Sequence, residues 1–598
     1  MPPSGRRSRF TTYWTLAALA TVMLSACGGA GAAGLGSAVN ASEPREPVAE
    51  PATFHSLGVR WAVRGDANAD AVIGVRYRPR AETGWREALP LFRTDPDSVS
   101  DENRVKGGWL FAGSIVDLAP DTEYEVALAL TDPDGGGVQR TLYMKTGAEP
   151  REPAGMRVRH VVPAGAADRG PGTGAATDPV RGLRIAQAAA MPGDLFLLHA
   201  GVYGEGTWTI DRHGTPGRPI IYRGAGDGET ILDGGGRERL VSATGVKHVW
   251  LERLTLRRAR YLFVGHSGSH FVVRRCRFEV VGTGITAING GYLESRGFVI
   301  TDNVFQGPTR WPRSQGIEEV NGVSITGAGH VVAYNRMSNL GDGVHGTGHG
   351  RLSASDIYNN DVEASTDDGI EGDYADTNVR IFRNRITNAF SGISAQPSHG
   401  GPLYVFRNAI YNVLYSPFKL HNDTSGVLIF HNTSVLNGIP WHIEPGGETV
   451  SDVVTRNNLF VGTSGPALRS TGDMIRCEFD RDGYGGAGGP GGAAHVFAEW
   501  NGRVFATPEE ARRSGALYRR YGAVLVPARG NFASGLGAPE DSDTRFPREK
   551  TDLRLDPASR AVDAAVVLPN FNEGFSGKAP DLGCCELGQP LPHYGPRP

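Results

Sequence analysis

The sequence predicts an all-β protein, a parallel β-helix preceded by a small antiparallel β-sandwich. Three observations carry this. Asparagines recur from Asn335 through Asn360, Asn384, Asn408 and Asn432 to Asn458 at steps of 25, 24, 24, 24 and 26 residues. The stretches between them are short β-branched runs broken by Gly and Asn, and a period near 24 suits three short strands per coil. Upstream, residues 52–148 show alternating runs such as Val59-Arg60-Trp61-Ala62-Val63 and Ile73-Gly74-Val75-Arg76-Tyr77, separated by turn clusters, the pattern of a sandwich. A leucine-rich repeat would need a leucine ladder, which is absent.

Composition agrees with this class and removes others. Gly supplies 83 of 598 residues, about twice the usual share, yet 39% of residues are hydrophobic and 21% charged, which excludes a collagen or a largely disordered chain. Sixty-one basic against 64 acidic side chains give a net charge of −3. Without an overall positive field, a dedicated nucleic-acid binder is excluded as a class. Lysine is scarce: Lys106, Lys145, Lys247, Lys419, Lys550 and Lys578 are the full set.

The elements follow in chain order. Arg6, Arg7 and Arg9 precede an apolar stretch, Tyr13 to Leu24, too short for a lasting bilayer span. Leu24-Ser25-Ala26-Cys27 resembles a bacterial lipobox, so residues 1–26 read as a lipoprotein signal peptide with Cys27 as the lipidated residue; an ordinary secretory signal is the competing reading. Gly28-Gly29 in place of Asp implies an outer-membrane or cell-surface destination. Residues 27–51, rich in Gly, Ala, Ser, Glu and Pro, read as a flexible tether. Export permits disulfides, but only Cys276, Cys477, Cys584 and Cys585 remain, and a bridge from Cys477 to Cys584 or Cys585 is one option.

Within residues 52–148, Leu118-Ala119-Pro120-Asp121-Thr122-Glu123-Tyr124-Glu125-Val126 resembles the fibronectin type III segment that carries a tyrosine corner, with Tyr124 bonding back to the backbone. Residues 155–470 are assigned to the β-helix. Asp178-Pro179 opens a helical pattern running to Ala189, and Pro192-Gly193-Asp194 stops it; a helix here would cover the open edge of the first coil. The strand Leu195–Leu198 follows. The stacked asparagines read as a ladder that satisfies turn backbone, with no part in catalysis. Residues 471–598 have weak periodicity and read as a capping region over the far edge.

A repeat predicts neighbours, because equivalent positions on successive coils lie about 4.8 Å apart. Aligning Gly343-Val344, Gly369-Ile370, Gly392-Ile393 and Pro417-Phe418 turns each apolar residue inward and gives an outward column of His345, Glu371, Ser394 and Lys419. One step earlier, Asp342 stacks on Asp368, with Asp367 alongside. Four carboxylates on two coils repel unless a cation or protons neutralise them, and an all-oxygen set of flexible geometry suits Ca²⁺ better than zinc. The competing reading of Asp367-Asp368-Gly369 is a solvated turn, and of Lys419 an exposed charge.

At these residues the sequence resembles polysaccharide lyase family nine: Asp367-Asp368-Gly369-Ile370-Glu371, an Asp on the preceding coil, Pro417-Phe418-Lys419-Leu420 two coils on, then His431-Asn432-Thr433-Ser434. The resemblance implies a right-handed, pectate lyase-like β-helix in which Asp342, Asp367, Asp368 and Glu371 bind Ca²⁺ and Lys419 is the Brønsted base. The departures are Glu371 where the family has Asp, and Pro417 where Gly is usual. The implied reaction is β-elimination on a uronate-containing polysaccharide, leaving a 4,5-unsaturated end. Arg310 and Arg313 are candidates for holding uronate carboxylates, or are solvated loop charges. His345 and His421, which flank the proposed groove, are candidates for binding sugar hydroxyls or assisting the leaving group, or are structural. The expected partners are an acidic polysaccharide and, through the lipid anchor, a membrane, with the protein a monomer.

Two other functions fit the fold. A β-helix glycoside hydrolase uses carboxylates set apart to admit a water, but its Gly-His-Gly would follow the paired aspartates. Here Gly348-His349-Gly350 precedes Asp367, and no Arg-Ile-Lys exists. A non-catalytic, calcium-dependent glycan-binding lipoprotein fits equally well.

Overall fold

The computed structural model describes residues 40–598 except 166–169, 289–294, 314–317, 445–447, 487–495, 516, 518 and 519. The segment ending in Cys27 lies outside them. The described chain is all-β apart from short helical pieces: an antiparallel sandwich followed by a parallel β-solenoid.

The sandwich has two sheets. In one, Leu57–Arg64 pairs with Gly108–Ile115, which pairs with Phe92–Arg93; in the other, Val72–Pro79 lies between Arg86–Ala88 and Glu123–Thr131, and Val138–Lys145 forms the edge. Alternation along these strands buries Leu57, Val59, Trp61 and Val63 against Ile73, Val75, Val126 and Leu128. The Tyr124 hydroxyl accepts from the Ala119 backbone N–H at 2.9 Å, as a tyrosine corner requires. The stretch expected to be tether differs in its last residues. Glu43–Pro44 and Val48–Ala49 are strands paired with Leu57–Arg64, because that strand's outer edge offers unpaired backbone groups to them.

The solenoid opens with Arg157–Val162 and builds two long parallel sheets, with shorter ones at the remaining corner. The helix is shorter than the 178–189 pattern predicts. Val180–Arg181 joins the first sheet, Gly182 turns the chain at φ 94°, and Leu183–Ala188 alone is helical; its Leu183 and Ala186 seal the first coil's core. At one corner each coil places a residue in the left-handed region: Asp302, Tyr334, Asn359, Arg383, Arg407, His431, Asn457 and Arg481. That conformation costs a non-glycine residue about 1–3 kcal/mol, and the following residue offsets it. From Asn303 to Asn458, each Asn Nδ2 donates to the side-chain oxygen of the next coil at 2.7–3.0 Å, the series ending on Asp482.

The sandwich docks on one outer face of the solenoid. Phe54 and Val116 join Val331, Tyr358, Phe382 and Tyr404 in an apolar cluster. Buried polar bonds run alongside: Asp356 accepts from Thr53 and Ser56 and pairs with Arg380, while Glu50 accepts from Thr377 and Asn378. The tail differs from the expected end cap. Coils continue to Val524–Val526, and the far end is closed by Ala498–Trp500, Arg503–Phe505 and the helix Pro508–Ser514. Residues beyond 530 instead run back along the flank. The outward side chains there, Ala409, Tyr411, Val435, Leu459 and Val461, are apolar and are covered by Phe532, Leu553, Leu555 and Leu582. Cys477 lies in the solenoid core and Cys584 and Cys585 in this flanking cluster, all free, so no bridge joins them.

Candidate metal centre

The site lies where three consecutive strands of the larger sheet, Asp342–His345, Asp361–Glu371 and Arg385–Ala395, meet a fourth, Ala409–Leu420. Val344 pairs with Ile370, Glu371 with Ser394, and Ser394 with Lys419. Val344, Ile370, Ile393 and Phe418 fill the core, so His345, Glu371, Ser394 and Lys419 share the outer wall. Gly343, Gly369 and Gly392 permit this stacking: a Cβ on any of them would meet the carbonyl oxygen of the next coil at 2.5–2.7 Å.

The carboxylates converge. Asp342, Asp367 and Asp368 each present an oxygen within 4.8 Å of the others, and a carboxylate oxygen of Asp342, one of Glu371 and a ring nitrogen of His345 lie equally close together. Asp342 Oδ1 accepts from the Asp368 backbone N–H at 3.0 Å, and Glu371 Oε2 from that of Gly346 at 2.7 Å. Asp368 Oδ2 contacts the Lys419 ammonium, while Asp368 Oδ1 is buried without a hydrogen-bond partner. Sequence reasoning missed a fifth acid. Asp373 is buried two residues beyond Glu371, where its Oδ1 accepts from Ser394 Oγ at 2.7 Å and the Gln396 N–H at 2.8 Å.

The electrostatics follow from burial and crowding. Burial and then the Asp368 and Asp367 charges push Asp342 well above the usual carboxylate range. Glu371 is raised by burial and then by Asp373 and Asp342. Asp367 is pushed up to about 6 by burial and Asp368, and Asp373 to about 7 by the same causes. Burial opposes the charge on Lys419, but Asp368, followed by Asp373 and Asp367, outweighs it and holds the ammonium above an ordinary lysine. An orphaned carboxylate oxygen among mutually repelling acids fits a hard divalent cation, for which oxygen ligands are the right donors.

The remaining candidates separate. Arg313 reaches the site but is committed there: its Nη1 lies 3.3 Å from Asp367 Oδ1 and its guanidinium 3.5 Å over the Phe390 ring. Arg310 is exposed and has no ion pair among the described residues. His345 Nδ1 lies 3.2 Å from Ser324 Oγ and its Nε2 3.9 Å from Glu371, and burial lowers its pKa. His421 Nε2 lies 3.3 Å from the Tyr415 hydroxyl, on the rim beside Lys419. Tyr415 itself, stacked on Phe390 at 5.6 Å, is an aromatic rim residue that no sequence motif marks. Gly348-His349-Gly350 borders a neighbouring cavity and contributes nothing to the acid cluster.

No protein-family model and no curated protein matches the chain. Among solved structures it is similar to the pectate lyase Pel9A, at 17% identity and TM-score 0.38, over 73% of this chain and 98% of that one. It is also similar to XylC in complex with xylose, at 12% and 0.42 over 55% and 83%, and to the PL6 family alginate lyase AlyGC, at 13% and 0.42 over 62% and 57%. At these identities and scores the likenesses carry no argument about activity.

Proposed function

We propose that the chain is a Ca²⁺-dependent polysaccharide lyase that cleaves a uronate-containing polysaccharide by β-elimination. One observation carries the reading: a knot of buried carboxylates, one with an unsatisfied oxygen, faces a single lysine ammonium on the same outer wall. In this reading Asp342, Asp367, Asp368 and Glu371 hold the cation. Bound Ca²⁺ would draw in a uronate carboxylate and stabilise the charge that develops when C5 loses its proton. Lys419 Nζ takes that proton, which requires the amine to leave Asp368 and become neutral. The C5–H electron pair then forms the C4–C5 double bond as the C4–O bond breaks, and the departing O4 takes a proton from water to become the hydroxyl of the released sugar. His421, beside Lys419, and His345, beside Glu371, orient sugar hydroxyls. The reading includes attachment through a lipidated Cys27 at the outer membrane or cell surface, with the sandwich as a fibronectin type III-like module.

The test is to incubate the protein with pectate, alginate and glycosaminoglycans, with and without Ca²⁺, and follow the ultraviolet absorbance of unsaturated ends. Reducing ends without that absorbance would replace the lyase with a hydrolase. A second reading has its own support: the Lys419 side chain is 12% exposed and paired with a fully buried Asp368, an arrangement that keeps a base charged. Calcium-dependent binding of a glycan with neither product signal would make the protein a glycan-binding surface lipoprotein.

A further inference from the structure

The outer wall that carries the acid cluster does not end there. Its pairing continues upstream from His345 to Ser324, Thr286 and Val264. Four coil steps thus separate Glu371 from Val264, about 19 Å at the usual spacing. Beside this upstream stretch lies a cavity of about 810 Å³, bordered by Arg239, Tyr261, His266, Thr286, Arg351 and Tyr374. It begins three residues past Glu371, at Tyr374, and reaches back to Arg239, which pairs with Tyr261 on the strand below.

Its chemistry differs from that of the acid cluster. Among the described residues neither Arg239 nor Arg351 has an ion pair, and the one acid on the rim, Glu238, lies 3.6 Å from Arg260. Burial and then the Arg239 charge lower the His266 pKa. Burial, followed by Arg351, pushes His399 on the opposite wall down to about 4. Two guanidiniums and two tyrosines on one cavity match a sugar bearing a carboxylate: forked donors for the anion and, at Tyr374, a ring face for the pyranose, the Tyr261 ring already carrying the Arg260 guanidinium at 5.3 Å.

We infer that this cavity is a distal anionic-sugar subsite, which binds uronate units of a long glycan several residues from the acid cluster through Arg239, Arg351, Tyr261 and Tyr374. The inference takes its ligand class from the function proposed above. Because a hexuronate unit is about as long as one coil step, a chain seated at the acid cluster reaches Arg239 and Tyr261, at the cavity's far end, only when it extends several units past it, whereas Tyr374 and Arg351 lie on the acid cluster's own coils. Short and long chains therefore differ in what they touch.

The experiment compares Arg239→Ala, at an exposed position at the cavity's far end, with the parent protein on a uronate trimer and octamer. Loss of one charge-assisted contact should raise the octamer KM at least about tenfold, with trimer kinetics and octamer kcat unchanged. An equal effect on both lengths, or none on either, overturns the subsite. Retardation in native gels containing soluble uronan reads the same contact without turnover. If no substrate is cleaved by the parent protein, the lyase reading fails, whereas the subsite stands if Arg239→Ala abolishes retardation and falls if retardation is unchanged.

Discussion

Two buried charge clusters in the same solenoid have opposite accounting. At the seam with the sandwich, Asp356 and Arg380 are both fully buried. Asp356 Oδ2 accepts from Thr53 at 2.5 Å and Ser56 at 3.1 Å, and Arg380 Nη1 donates to Ser114 at 3.1 Å, leaving only Nη2 without a partner. One acid meets one base, and hydroxyls from the other domain satisfy all but one of the remaining polar atoms. At the open wall, Asp342, Asp367, Asp368, Glu371 and Asp373 share Lys419 and, at the rim, Arg313. A balanced pair joins two domains and asks for nothing further; an unbalanced one keeps acids protonated or recruits a cation.

The largest effect expected from this contrast is on turnover. Lys419→Ala should lower the rate of unsaturated-product formation by about 10²–10⁴, the usual contribution of a general base, with the circular dichroism spectrum in Ca²⁺ unchanged. Arg380→Met should do the reverse. It strands Asp356 in the seam, so denaturant unfolding should show a loss of about 3–5 kcal/mol, while calorimetric Ca²⁺ titration of the folded protein is unaltered. Equal effects of the two variants on Ca²⁺ affinity would dissolve the distinction.

Asp342→Asn sharpens it further. The amide oxygen still accepts from the Asp368 N–H, but one negative charge is gone. Ca²⁺ affinity should fall at least about tenfold, and the melting temperature in chelator should rise, a gain that no substitution at Asp356 would produce. The smallest effect is in the pH dependence. Folded Asp367 at about 6 and Asp373 at about 7 lie above the free value of about 3.9. Their stabilising contribution is therefore complete below about pH 4 and is lost as pH rises through 6 and 7. Melting in chelator should decline from pH 5 to pH 8, and added Ca²⁺ should restore more at pH 8 than at pH 5. A flat profile in chelator would contradict the crowding of the acids.

What the sequence reveals here is what the repeat controls. The spacing of Asn335, Asn360, Asn384 and Asn408 fixes the register, and with it the shared wall of His345, Glu371, Ser394 and Lys419. Contacts between segments out of phase with the repeat are hidden. Asp373 joins the acids because the Gly372 N–H bonds to the Ser394 carbonyl at 2.7 Å, which sets the next side chain against the Ser394 hydroxyl. Arg313 arrives on an insertion and lands on Phe390, a pairing no period predicts. The docking of the sandwich and the lateral course of the tail depend on which outward residues are apolar, such as Tyr411 and Leu459. Those residues alternate in the strand like any others and do not name their partners. The helical pattern after Asp178 is overstated for a local reason: a two-residue strand, Val180–Arg181, satisfies the edge of the first sheet before the helix begins.

The returning tail has a consequence for how the molecule is made. Arg597 pairs with Asp302 at 2.9 Å and Glu149 at 3.3 Å and lies over Tyr334, so the returning tail clasps an early coil of the solenoid and the segment that follows the sandwich. Each coil closes on the one before it, whereas the lateral belt joins residues 295 apart in sequence and so forms only on coils already stacked. The axis of the solenoid is thus built from local steps and its flank from long-range ones.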